Sequence, residues 1–193
     1  MQIRDLGLVA LSFFGLTAWA AEPATTVAGI ENFHQVSQFV YRGAQPTDQG
    51  FHNLSTLGVK VIIDLREHDE RAVAEERTVT GDGMRYVNVP MTGMTPPTEA
   101  QIKQILALME DQTAGPVFVH CKRGADRTGA VIAAYRIDHD KWENSQALSE
   151  AMKDKMSHFQ VQRQQYIREF QPMSVAATSV DTAALVPAPA VKN

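Results

Sequence analysis

A cysteine and an arginine separated by five residues, Cys121 and Arg127, are the side chains of this 193-residue sequence best placed to do chemistry. Cys121 ends the apolar run Val117-Phe118-Val119-His120. Arg127 is followed by Thr128-Gly129 and then by the apolar run Ala130 to Ala134. The pattern reads as a buried strand, a tight loop and a helix that begins where the loop ends. Such a loop turns backbone N–H groups inward beside a helix N-terminus and collects an oxyanion. A phosphate monoester is close to a dianion at neutral pH, so attack on it by an anionic nucleophile requires its charge to be neutralised. Arg127 offers a planar fork that holds two phosphoryl oxygens at once, a match that lysine cannot make. The same donors favour thiolate over thiol, and settings of this kind lower a cysteine pKa from ~8.5 to about 3.5–7.5. The Thr128 hydroxyl is placed to donate to the sulfur.

The residues between and around the pair complete a candidate anion pocket: Lys122, Arg123, Gly124, Ala125, Thr128 and Gly129. Gly124 and Gly129 permit tight geometry and close approach of a ligand. Lys122 and Arg123 add charge suited to polyanionic substrates, against the commoner fate of such side chains in solvent. Arg42 and Arg66, at predicted strand ends, are open between phosphate binding and structural ion pairs, the latter favoured for Arg66. His120 points to the opposite side of its strand from the nucleophile and is expected to order the loop rather than act as a base. The remaining histidines show no metal-ligand spacing, and neither a metal nor an organic cofactor is expected.

Cys121 is the only cysteine. It has no intramolecular disulfide partner, although the N-terminus reads as an export signal. Arg4 is followed by a mostly apolar run from Leu6 to Trp19 and by the cleavage pattern Ala18-Trp19-Ala20. Residues 1–20 are therefore expected to be a signal peptide, with the mature protein periplasmic or secreted and not inserted in a membrane. The apolar run falls short of the ~20 residues a spanning helix needs. Apolar residues make up 44% of the chain and the net charge is −4, so nothing global points to nucleic acid. A monomer binding a phosphorylated substrate is expected.

Stepping outward, residues 21–29 read as a flexible lead-in and 172–193 as a disordered tail, leaving one domain over 30–171. Two short strands are expected before Arg42, then a helix capped by Thr47. Val59 to Leu65 reads as a central parallel strand and Met84 to Val89 as another. Asp69 to Thr78 reads as a surface helix, and Thr98 to Gln101 as a capping box with Ile102, Ile105, Leu106 and Met109 inward. After the Arg127–His139 helix, Asn144 or Ser145 should cap another, and a last helix should run over about 159–170. Alternating strands and helices imply an α/β fold with a central, mostly parallel sheet and helices on both faces, its ligand site at the carboxyl ends of the strands.

The run His120-Cys121-x2-Gly124-x2-Arg127-Thr128-Gly129 resembles the signature of the cysteine-dependent protein tyrosine phosphatase superfamily, in its dual-specificity branch. Tyr41-Arg42-Gly43-Ala44-Gln45-Pro46, the strand ending Asp64-Leu65-Arg66, and Pro96-Pro97 are similar to the compact dual-specificity-like phosphatases of bacteria, fungi and plants. The resemblance covers about residues 30–171. It implies that Cys121 is the nucleophile, forming a phosphocysteine, that Arg127 binds phosphate, and that no metal is used. One part does not carry over. The superfamily's general acid is usually an aspartate on a separate loop, and the matching loop here, Met91 to Pro97, contains no Asp, Glu or His. Asp126 is the first substitute, because Cys-x4-Asp-Arg-Thr resembles the signature of myotubularin-type and Sac-type lipid phosphatases. The competing expectation is that Asp126 is a structural loop residue paired with a neighbouring N–H or with Arg42. Phosphoproteins, and phosphoinositides or inositol phosphates, remain open as substrates. A non-catalytic phosphate-binding module and a sulfur-transfer or arsenate-reducing enzyme are the alternatives from other classes.

Overall fold

A computed structural model describes residues 26–173. The expected signal peptide, and all but the first two residues of the expected tail, lie outside the described residues. Among the described residues the sheet has the order β1-β2-β5-β3-β4. It is built from β1 (His34–Gln35), β2 (Val40–Gly43), β3 (Val61–Asp64), β4 (Arg85–Asn88) and β5 (Val117–His120). Only β1 runs antiparallel to its neighbour; the pairings β2–β5, β5–β3 and β3–β4 are parallel. β5 lies at the centre, flanked by the two strands on which Arg42 and Asp64 stand. All four of its residues are buried, which accounts for its continuous apolar run.

The period-two alternation of the strands divides the core between the two faces. Val61, Ile63, Val117 and Val119 face α3 (Glu99–Glu110), α4 (Asp126–Asp138), α5 (Asn144–Lys153) and α6 (Val161–Glu169). Ile62 and Phe118 face α1 (Asp48–Thr56) and α2 (Glu70–Gly81), packing with Phe51, Leu54 and Val79. Helices thus cover both faces, and α4 is buried along most of its length at the centre of its layer. Thr47 caps α1 by accepting from the Gly50 N–H, and Thr98 and Gln101 form the capping box of α3.

Three local features differ from the sequence reading. Residues 27–30, in and next to the expected lead-in, form a turn tied to α1: the Thr47 N–H donates to the Gly29 carbonyl at 3.0 Å and the Asn53 amide to the Ala28 carbonyl at 2.9 Å. Asn144 does not cap α5; its side chain reaches the Ile167 and Phe170 carbonyls at 2.8 and 2.9 Å, fastening α5 to the end of α6. The last helix starts at Val161, with Phe159 outside it. Phe118, fully buried between Phe33 and His120 and in contact range of α1, has no room for rearrangement. Phe118→Ala should lower stability by about 3–5 kcal/mol, read from urea unfolding.

Candidate active site

β5 delivers Cys121 to the carboxyl edge of the sheet, and α4 begins five residues later at Asp126. Between them the chain makes a narrow loop that depends on Gly124, which has φ +63°. A Cβ at that position would overlap the backbone of Gly43 and Ala44, so only glycine lets the loop pass this close to the end of β2. Arg42 fixes the same contact from beneath. Its guanidinium is 1% exposed, donates to the Gly124 carbonyl at 2.5 Å and pairs with Asp154 at 2.9 Å. Of the two roles open to Arg42, substrate binding is corrected in favour of the structural one: Nη1 and Nη2 are spent on Asp154 and the Gly124 carbonyl, Nε has no partner among the described residues, and the side chain does not line the cavity of Cys121.

Gly93, Cys121, Lys122, Arg123, Asp126 and Arg127 line a cavity of about 260 Å³. Arg127 Nη1 is braced by the Leu65 and Met91 carbonyls at 3.3 and 3.2 Å, which set the plane of the fork. Lys122 and Arg123 are exposed at the rim. Asp126 also lines the cavity, but both its oxygens are engaged: Oδ1 accepts from the Ser157 N–H at 2.9 Å, and Oδ2 accepts from Arg123. Of the other expected pocket residues, Gly124 and Ala125 are buried in the loop backbone. Gly129 lies within α4, where the absent side chain admits Met156 and Ala151 of the α5 layer. Thr128 is buried and faces the sulfur, not the substrate space.

Cys121 is 2% exposed. Burial pushes its thiol up, but the Thr128 hydroxyl and N–H, the charge of Arg127 and the Arg123 N–H outweigh that, and the net shift is downward. The buried Thr128 hydroxyl has no hydrogen-bond partner among the described residues, so its proton is free to turn to the sulfur.

Behind the loop, on the α1–α2 face, lies a group of charges that sequence reading only partly foresaw. His120 Nε2 is 2.8 Å from Glu75 Oε1 and 4.0 Å from Asp64 Oδ1. Arg66 bridges the two carboxylates, bonding Asp64 Oδ2 at 2.8 Å and Glu75 Oε2, and the Tyr86 hydroxyl donates to Asp64 at 2.8 Å. Asp64, Glu75 and His120 lie close enough together to hold a cation, and the guanidinium of Arg66 already occupies that role. Arg66 is thus the structural ion-pair partner expected, and His120 the loop-ordering residue expected. Glu75 was missed. Its signal is the spacing of Ala72, Glu75 and Val79, the buried positions of α2, at i, i+3 and i+7, in a segment expected to be a surface helix.

Arg163 was also missed. This α6 residue is completely buried and donates to the Thr92 and Gly93 carbonyls, each at 2.7 Å, while Gln160 reaches the Gly93 carbonyl at 3.2 Å. Together they pin the segment where a general acid was sought. Arg163 shares the buried face of α6 with Ile167 at i+4, and that spacing was its only clue.

A mostly parallel sheet that presents a cysteine of lowered pKa and a braced arginine at the mouth of a tight loop defines a cysteine-dependent phosphatase fold and site. A family model described as DSP-PTPase phosphatase fused to NAD+ kinase matches residues 16–169, and the chain belongs to this dual-specificity-like phosphatase family. The chain is 32% identical over 134 residues to the dual specificity protein phosphatase TpbA of Pseudomonas aeruginosa, a match covering 69% of this chain and 57% of that protein. It is 27% identical over 134 residues to an inositol diphosphatase of Oryza sativa, covering 64% and 61%. The chain thus spans little more than half the length of these relatives. The core catalytic domain of the Saccharomyces cerevisiae PP-IP phosphatase SIW14 shares the fold with a TM-score of 0.67 at 23% identity, over 79% of this chain and 93% of that one.

Two outcomes follow from the site. Thr128→Val should raise the Cys121 pKa, seen as a shift to higher pH in the alkylation rate by iodoacetamide with the fold intact by circular dichroism. Burial opposes charge on His120, but the bond and charge of Glu75 and the charge of Asp64 prevail and its pKa is raised. A raised folded pKa gives stability that is fully present below the unfolded value near 6.5 and lost as pH rises through the folded pKa. Glu75→Gln should therefore cost more stability at about pH 6 than at about pH 9 in urea unfolding.

Proposed function

We propose that this chain is an exported phosphatase in which Cys121 is the nucleophile, acting on substrates whose leaving oxygen needs little protonation. The Cys121 sulfur attacks phosphorus while Arg127 and the loop N–H groups hold the equatorial oxygens. The phosphorus–oxygen bond breaks, the leaving oxygen takes its proton from water, and a second water then hydrolyses the phosphocysteine. Thr128 stabilises the departing thiolate in that last step.

The single observation that carries the leaving-group reading is the pocket wall. Segment 91–97 contributes Gly93, which has no acid to offer, and the one carboxylate present, Asp126, has both oxygens bonded. A general acid is worth about 10²–10⁴ in rate when the leaving group is poor. A phenolic oxygen, with a pKa of ~10, loses less from its absence than a serine alkoxide does. The phosphate released from a diphosphate loses less still.

A second reading, inositol phosphates or phosphoinositides, is favoured by the rim: Lys122 and Arg123 add cationic donors beyond those a single phosphate uses. The relative named as an inositol diphosphatase makes the same suggestion for this chain.

The test is a set of phosphate-release assays across aryl phosphates of graded leaving-group pKa, phosphoserine peptides and inositol diphosphates. Turnover should fall steeply as the leaving group becomes more basic, and Asp126→Asn should leave that slope unchanged. A flat dependence would mean that an acid acts after all. Cys121→Ser should abolish turnover and retain phosphate binding; turnover at the wild-type rate in that variant would remove Cys121 from the mechanism, and no turnover in the unmodified protein would leave a phosphate-binding module.

A further inference from the structure

Four successive carbonyls, Pro90 to Gly93, are each held by a side chain. The Gln101 amide of the α3 capping box donates to Pro90 at 2.8 Å, and Arg127 Nη1 donates to Met91 at 3.2 Å. Arg163 takes the next two, Thr92 through Nη2 and Gly93 through Nη1, each at 2.7 Å. A planar fork meets two adjacent carbonyls at a fixed spacing, which a lysine ammonium cannot do. Among the described residues no carboxylate bonds Arg163. Its remaining contact is the Gln160 amide oxygen, and Nε has no partner. Burying a cation without a counter-ion is costly, and an apolar side chain would fill the same place without that cost. The groups whose charges act on Arg163 are Asp126, Arg127 and Cys121, all three in the wall of the cavity.

We infer that Arg163 is a positioning residue for Arg127: by clamping Thr92 and Gly93 it fixes the adjoining Met91 carbonyl, one of the two that set the plane of the Arg127 fork. This role rests on the phosphoryl reading of the pocket and adds to it a residue of the last helix. The two acceptors of Arg127 Nη1 are placed by different means. Leu65 directly follows β3, and its N–H donates to the His120 carbonyl at 2.9 Å, so the sheet holds it. Met91 lies past β4 in a stretch without regular structure, where side chains must do the holding. With the guanidinium of Arg163 removed, Thr92 loses its side-chain donor and Gly93 keeps only Gln160 at 3.2 Å. The Met91 carbonyl then moves with them, and Arg127 loses one brace. A displaced fork holds an oxyanion less well. It also carries away a charge that draws Cys121 toward thiolate.

Two readouts follow Arg127 without requiring turnover: the pH midpoint of Cys121 alkylation by iodoacetamide in the full chain, and inorganic phosphate affinity by calorimetry in the full chain carrying Cys121→Ser. Arg163→Met should move the midpoint up by about one pH unit. It should weaken phosphate about tenfold. Ile167→Ala, on the same buried face of α6, is the comparison. It should lower stability to urea while leaving the midpoint in place and phosphate affinity within about twofold. Arg163→Lys keeps the charge but not the fork, and should shift both readouts the same way by less. It carries the test if Arg163→Met does not fold by circular dichroism. With Arg127→Ala already present, Arg163→Met should add less than about 0.3 pH unit to the midpoint. A full additional shift would mean that Arg163 acts by its own charge and not through Arg127, and overturns the assignment. So does an unchanged midpoint and phosphate affinity, or an equal change in Ile167→Ala. An unmodified protein without turnover would refute the phosphatase reading and leave the positioning role standing. If phosphate does not bind at all, the phosphoryl reading falls and the alkylation midpoint alone decides for or against Arg163.

Discussion

The Cys121 sulfur is almost completely buried and yet shifted toward its thiolate form, and most of what surrounds it follows from reconciling the two. Burial alone would return the proton. The correction is supplied by groups that cannot move away: the Thr128 hydroxyl and N–H at the first turn of α4, the Arg123 N–H, and the charge of Arg127. Each is placed by backbone shape. Hence the loop's dependence on Gly124, whose φ of +63° and contact with Gly43 leave no space for a side chain. Hence also the buried Arg42, whose attachment to Gly124 and Asp154 ties that backbone to β2 and to the end of α5. Removing one member of a buried pair of this kind leaves a charge without compensation, typically a cost of about 3–5 kcal/mol.

Beneath the loop the charges are arranged as a closed set. Asp64 and Glu75 bring two carboxylates, Arg66 a guanidinium, and His120 a ring whose charged form burial opposes and Glu75 and Asp64 favour, with a net upward shift. The ring of His120 stacks on Phe118 at 5.7 Å and meets Phe51 edge-on at 6.4 Å, so the residue before the nucleophile is held by core packing as well as by charge. Sheet, α2 and loop are thereby coupled through a single side chain. This explains why an acidic residue occupies an inward position of a helix that otherwise presents charge to solvent.

The elements with a strong period were legible in the sequence. β3 and β5 were visible as β-branched or apolar runs, and α3 as a capping box followed by four inward residues. Cys121 and Arg127 were legible as neighbours in one site because both lie in one contiguous loop. What was not legible is what the tertiary fold brings in from a distance. Glu75 lies 45 positions from His120 and Arg163 lies 70 from Gly93, and neither local propensity nor spacing announces such a meeting. Arg42 stayed open between two roles for a related reason. A strand-end arginine near a phosphate loop is as well suited to the loop's underside as to its mouth, and only β2's position beside β5 decides between them.

The empty acid position and the pinned segment around it are two sides of one arrangement. A loop that must deliver an acid needs freedom to close over the substrate. Here the carbonyls of Met91, Thr92 and Gly93 are all consumed, by Arg127, Arg163 and Gln160, so the segment is fixed in place with nothing to deliver. Arg163 also carries a charge with no carboxylate bonded to it. Burial pulls its pKa down, partly offset by Asp126 and by Cys121. A guanidinium buried on carbonyl dipoles alone gains from anions nearby, and those at hand are the Asp126 carboxylate and the Cys121 sulfur in its thiolate form. The residue that immobilises the segment therefore also adds to the positive potential of the site. At this edge of the sheet the fold supplies a static positive field and a pinned segment in place of a mobile carboxylate.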